Sequence, residues 1–135
     1  MSEKPIIEPG KEKILSLVKE VRFEENGIVS RTLLRTPHSR AVLFGFAEGQ
    51  ELTEHTSTQH ALVQILTGEC EFSLDGKVHE LKAGNVVYMP PKLSHALRAK
   101  TQFSMLLTLI KPGVDEKPNL GRVHSFVQPA IPGHE

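Results

Sequence analysis

Short apolar runs, partly alternating with polar residues and each closed by turn formers, fill the chain from Val21 to Ile110. "VRFEE" ends at Asn26-Gly27, "IVSRTLLR" at Thr36-Pro37, and "RAVLFGFA" before Glu48-Gly49. "ALVQILT" ends at Gly68, and "ECEFSL" is joined to "KVHEL" by Asp75-Gly76, a pair suited to a two-residue hairpin because both turn positions need positive φ. "VVYM" runs into Pro90-Pro91, "SHALRA" follows, and "TQFSMLLTLI" closes at Pro112. Strands at this spacing, with no helices between them, predict an all-β antiparallel sandwich or barrel. Only "KEKILSLVKE", Lys11 to Glu20, has a weak helical stripe, through Ile14, Leu15, Leu17 and Val18; an irregular N-terminal arm is the other reading.

These boundaries divide the chain into an arm (1–20), a barrel domain (21–111, with its densest motifs in 41–111) and an irregular tail (112–135). The tail is rich in Pro and Gly and has no periodicity. Phe126, Val127 and Ile131 are the residues that would dock it on the barrel or on a neighbouring subunit; disorder is the equal alternative.

Composition narrows the function. A chain of 135 residues suffices for one domain with a core, and 16 basic residues balance 16 acidic ones. No overall field recruits nucleic acid or an anionic membrane, and the lack of Trp weakens any base-stacking role. The single Cys70 excludes an intrachain disulfide and a multi-cysteine zinc site; within an alternating run it reads as a buried, inert thiol. No apolar leader or membrane-length stretch is present, so a cytoplasmic location is expected.

The chemistry concentrates in two segments. "GQELTEHTSTQHALVQILTG" (Gly49–Gly68) brings His55 and His60 close in sequence, and "GNVVYMPPKLSHALRA" (Gly84–Ala99) supplies His95. Gly49, His55 and Gly68 fall on the pattern G-x5-H-x-H-x3,4-E-x6-G, while Gly84, Pro90 and His95 fall on G-x5-P-x-G-x2-H-x3-N. On these anchors the chain resembles a small single-domain cupin of the RmlC-like kind. The resemblance implies a double-stranded β-helix, or jelly roll. It also implies a site where members with a full set hold iron, manganese, nickel or zinc through three histidines and one glutamate.

The departures are specific. Ser57 stands at the second histidine of H-x-H, and Ala61 or Leu62 at the glutamate. Lys92 replaces the second motif's glycine and Ala99 its asparagine, so only His55 and His95 carry over. Two imidazoles alone make a weak transition-metal site, which needs several donors at roughly 2 Å.

Strand parity decides what joins them. With His55 inward, an undistorted strand also turns Ser57, Gln59, Ala61, Val63 and Ile65 inward, and sends His60 out. A bulge at Thr56-Ser57-Thr58 would reverse that phase and make His60 a third donor. Both registers stand, the regular one ahead. Glu51 shares the parity of His55 but lies roughly 13 Å along a strand, and Glu54 takes the opposite face. Ser57, Gln59 and Tyr88 are the expected pocket-lining polar residues; Gln64, His38 and His79 read as surface positions, and His124 and His134 belong to the tail.

Three functions follow. The first is a metal-dependent enzyme on a small molecule, its zinc, iron, manganese or nickel ion held by His55, His95 and His60. Close behind is a metal-free cupin that binds or senses a small molecule in its barrel. The third is an assembly protein; the resemblance implies a homodimer formed through the N-terminal strands. No nucleophile–base–orienter set and no phosphate-cradling glycine loop occurs, and no residue names a substrate.

Overall fold

A computed structural model describes residues 4–113, and the expectations for Phe126, Val127, Ile131, His124 and His134 lie outside them. The described residues hold nine strands: β1 (Ile28–Arg35), β2 (Ser39–Phe46), β3 (Glu51–His55), β4 (His60–Thr67), β5 (Glu69–Leu74), β6 (Lys77–Lys82), β7 (Val86–Met89), β8 (His95–Ala99) and β9 (Phe103–Ile110). All pairings are antiparallel. The strands form a five-stranded sheet in the order β1-β2-β9-β4-β7 and a four-stranded sheet in the order β3-β8-β5-β6. The two sheets face each other across one apolar core, as the alternation predicted.

That core draws on both inner faces. Ala61, Val63 and Ile65 of β4 and Phe103 and Met105 of β9 meet Cys70 and Phe72 of β5 and Leu97 and Ala99 of β8. Phe46 and Phe103 stack with their ring centroids 4.6 Å apart. Between β5 and β6, Asp75 and Gly76 take φ of 50° and 82°, as a two-residue hairpin requires.

The structure corrects the strand reading in two places. "VRFEE" is not a strand. It crosses the outside of the five-stranded sheet so closely that a Cβ on Gly45 would lie 2.1 Å from the Arg22 carbonyl oxygen. Nor does one strand run through His55 and His60: β3 ends at His55 in one sheet, and β4 starts at His60 in the other.

The N-terminal segment is mostly irregular, with a turn in which Lys11 N–H donates to the Glu8 carbonyl and one helical turn, α1 (Leu17–Glu20). Ile6 and Ile7 donate backbone hydrogen bonds to the Thr32 and Leu33 carbonyls, along the otherwise open edge of β1. Ile6, Ile7, Leu15 and Leu17 then cover Val21, Leu33 and Leu43 in a second, smaller apolar cluster outside the sheet. Ile14, assigned to the same helical stripe by the sequence, is fully exposed instead. So short a helix depends on such packing, since its own propensity cannot sustain it.

Candidate metal centre at the barrel mouth

His55 and His95 end up side by side. They are register partners across β3 and β8, with ring centroids 4.2 Å apart and planes inclined at 60°. A bulge in β3 makes this possible. Leu52 pairs with Leu97 and His55 with His95, so Thr53 and Glu54 together oppose Ala96. Plain alternation would put Leu52 and His55 on opposite faces; the extra residue lets both line the interior. Glu51, Thr53 and Glu54 instead line a groove on the outer face of the four-stranded sheet, and Glu54 accepts a hydrogen bond from Ser94 Oγ at 2.8 Å. The shared parity of Glu51 and His55 expected for a regular strand is thereby broken.

Both imidazoles are held the same way. His55 Nδ1 lies 2.8 Å from the Thr53 carbonyl oxygen, and His95 Nδ1 lies 3.0 Å from that of Leu93. A carbonyl only accepts, so in each ring Nδ1 carries the proton, and in the neutral ring Nε2 keeps its lone pair. This is the orientation device usual behind metal-ligating histidines. His95 is buried, is also paired with Leu74 of β5, and has Phe72 alongside it, centroid to centroid 6.5 Å. His55 is exposed and forms the outer member of the pair.

The interior beneath them is small. A cavity of about 40 Å³ is lined by His55, His95, Phe72, Leu52, Met89 and Met105, with further aliphatic and aromatic side chains. Met89 and Met105 were not anticipated; the one signal was the parity of Met89 with buried Val87 in "VVYM".

The other predicted site residues go elsewhere. His60 lies beyond the 56–59 loop at the start of β4, where its Nδ1 is 2.7 Å from Tyr88 Oη. Its neighbours Ala61, Val63 and Ile65 point inward, so strand parity turns His60 away, and the three-histidine set does not assemble. The bulge falls before His55, where it cannot reverse the phase of β4. Tyr88 is 54% exposed on the outer face. Ser57 and Gln59 belong to the loop: Ser57 Oγ accepts from the Gln59 backbone N–H at 3.1 Å, and neither side chain lines the interior cavity. No group of three or more His, Cys, Asp or Glu side chains able to hold a metal gathers among the described residues. His38 and His79 are exposed, as expected. Cys70 is fully buried, and burial pushes its thiol up to about 11.

Two facing antiparallel sheets with a histidine pair at the mouth define a cupin-type barrel, and the comparisons agree. The family model for the cupin domain matches residues 42–111. The chain is similar to a conserved protein of unknown function from Streptococcus pyogenes, at 35% identity and a TM-score of 0.72, over 84% of this chain and 98% of that one. A cupin superfamily protein from Desulfitobacterium hafniense matches at 27% identity and a TM-score of 0.71, over 76% of this chain and 94% of that one. An uncharacterized protein of Aquifex aeolicus is 27% identical over 107 residues, which is 79% of this chain and 88% of its own length. This chain belongs to the cupin superfamily.

Among the described residues, no helix is long and apolar enough to cross a membrane.

Proposed function

We propose that this cupin binds a transition-metal ion through Nε2 of His55 and Nε2 of His95, and acts on or senses a small molecule at the open coordination positions. The carrying observation is the matched pair of Nδ1–H···O=C hydrogen bonds, which leaves both Nε2 lone pairs available on adjacent strands. A regular strand needs no such bonds, and a solvated histidine does not require them.

The residues fit half of the family's full site. Two imidazoles are present; among the described residues no carboxylate lines the cavity, and the remaining side-chain heteroatoms of the lining are the thioethers of Met89 and Met105. Imidazole suits zinc, iron, nickel and copper, and thioether favours the softer end of that series, copper(I) above all. Manganese, which prefers oxygen donors, fits least. A bound ion would supply Lewis acidity and sites for exogenous ligands. The protein's share is to fix the two tautomers, exclude bulk water from the inner side with Phe72 and Leu52, and keep the outer side open at His55.

Cavity size ranks this above the metal-free reading. About 40 Å³ is room for an ion or for one or two waters, whereas pockets that enclose drug-sized organic ligands measure roughly 300–1,000 Å³. Tag-free protein, stripped and then offered copper(I), zinc, iron(II), nickel and manganese separately, tests it by elemental analysis. The expected result is near-stoichiometric uptake of at least one of the first four, abolished by His55→Ala with His95→Ala and unaffected by His60→Ala. Uptake of none of them sinks the proposal. A co-purified organic molecule in metal-free protein would favour the alternative instead.

A further inference from the structure

A second site, apart from the histidine pair, lies where β1, β2 and β9 end. A cleft of about 220 Å³ is lined by Arg35, His38, Arg40 and Lys111, together with Gln59 and the Thr36–Ser39 turn. Among the described residues no carboxylate lines it. Arg35 and Arg40 are direct cross-strand partners, and the Lys111 backbone N–H donates to the His38 carbonyl at 2.9 Å, so the topology stacks all four groups at one corner. Like charges placed directly opposite each other destabilise a strand pair. Among the described residues none of these four side chains forms an ion pair or hydrogen bond. In a chain of zero formal net charge, such a corner is a local choice and not the overflow of a basic protein.

The turn that carries these groups is rigid. Thr36 N–H donates to the Ser39 carbonyl at 2.9 Å, Thr36 Oγ1 accepts from the Ser39 backbone N–H at 3.0 Å, and the two hydroxyls are 2.7 Å apart. Arg35 and Arg40 therefore project from fixed strand ends, and two guanidinium forks suit bidentate recognition of a planar or tetrahedral oxyanion. The volume corresponds to about seven waters at ~30 Å³ each, enough for a small anion with part of its hydration shell.

We infer that this cleft binds a small oxyanion, a phosphate or a carboxylate group, through Arg35 and Arg40 with Lys111 and His38 beside them. The same chemistry exists within the chain, at Asp115 and Glu116 shortly after Lys111, so the test separates the two sources.

Inorganic phosphate is titrated into the full chain at fixed ionic strength, with chloride as the balancing salt, while backbone amides are followed by NMR. The expected result is saturable shifts at Thr36, His38, Ser39, Arg40 and Lys111. Arg35→Gln with Arg40→Gln should weaken binding at least tenfold while the remaining amide spectrum stays unchanged. Without phosphate that variant should melt no lower than the parent, and phosphate should raise the parent's midpoint alone. In Asp115→Asn with Glu116→Gln, unchanged affinity assigns the site to free anions, and tighter binding shows the chain's own carboxylates competing for the same cleft. Shifts that never saturate, or equal binding by the double-arginine variant, would overturn the inference.

Discussion

Deleting Thr53 separates the two effects of the β3 bulge on His55. The deletion leaves Glu54 alone opposite Ala96, so Leu52 and His55 fall two residues apart and share the inner face by plain alternation. The fold and the inward His55 should survive, with stability changed by no more than about 1 kcal/mol. What is lost is the carbonyl two residues before His55. That position becomes Leu52, whose backbone is committed to the pairing with Leu97. A net hydrogen bond of about 0.5–1.5 kcal/mol corresponds to a factor of about 2–12 in the tautomer ratio of the ring. Loss of such a partner behind a metal ligand typically costs about 10–100-fold in metal affinity. Long-range ¹⁵N–¹H spectra of the imidazole read the tautomer without any metal, and competition titration reads the affinity. If the deleted protein keeps the Nδ1–H form at His55 and the parental affinity, the role given to the Thr53 carbonyl is wrong. If His55 leaves the side of His95, plain alternation does not replace the bulge in placing it there.

Gly68 sits at φ +77°, and a Cβ there would lie 2.2 Å from the Gln102 carbonyl oxygen. Gly68→Ala should therefore lose about 2–5 kcal/mol in urea unfolding, from left-handed strain plus a backbone collision; a loss under 1 kcal/mol would contradict this. Cys70 should resist thiol reagents at pH 8 in the folded protein and react at once in urea. Because burial raises the folded thiol to about 11, its contribution to stability is full below the unfolded value of about 8.5 and fades as pH climbs through 11. Cys70→Ala should remove that part of the alkaline dependence, read from urea midpoints at several pH values. Tyr88→Phe removes the hydroxyl facing His60 Nδ1 on the outer face, and should leave metal uptake at His55 and His95 unchanged by elemental analysis.

The strands from Ile28 onward, the Asp75-Gly76 hairpin and the buried thiol were legible in the sequence because each depends on local chemistry, whereas the sequence leaves the direction of His60 between two registers and its place among the metal donors is not what the structure shows. Periodicity reports which face is apolar, positive φ demands particular turn residues, and a run such as Ala61-Val63-Ile65 fixes the direction of its alternate neighbours. The motif spacing likewise singled out His55 and His95. Three things were not local. The break between His55 and His60 places residues only five positions apart in different sheets, and no composition signal separates that loop from a bulged strand. The bulge at Thr53-Glu54 exists only relative to Ala96 on a strand some forty positions later, so register, not propensity, turns His55 inward. Met89 and Met105 become neighbours of the histidines only when β7 and β9 flank β4, and Lys111 joins Arg35 and Arg40 only when β9 is laid beside β2. Side-chain type sets what a residue can do; the pairing of distant strands decides which residues do it together.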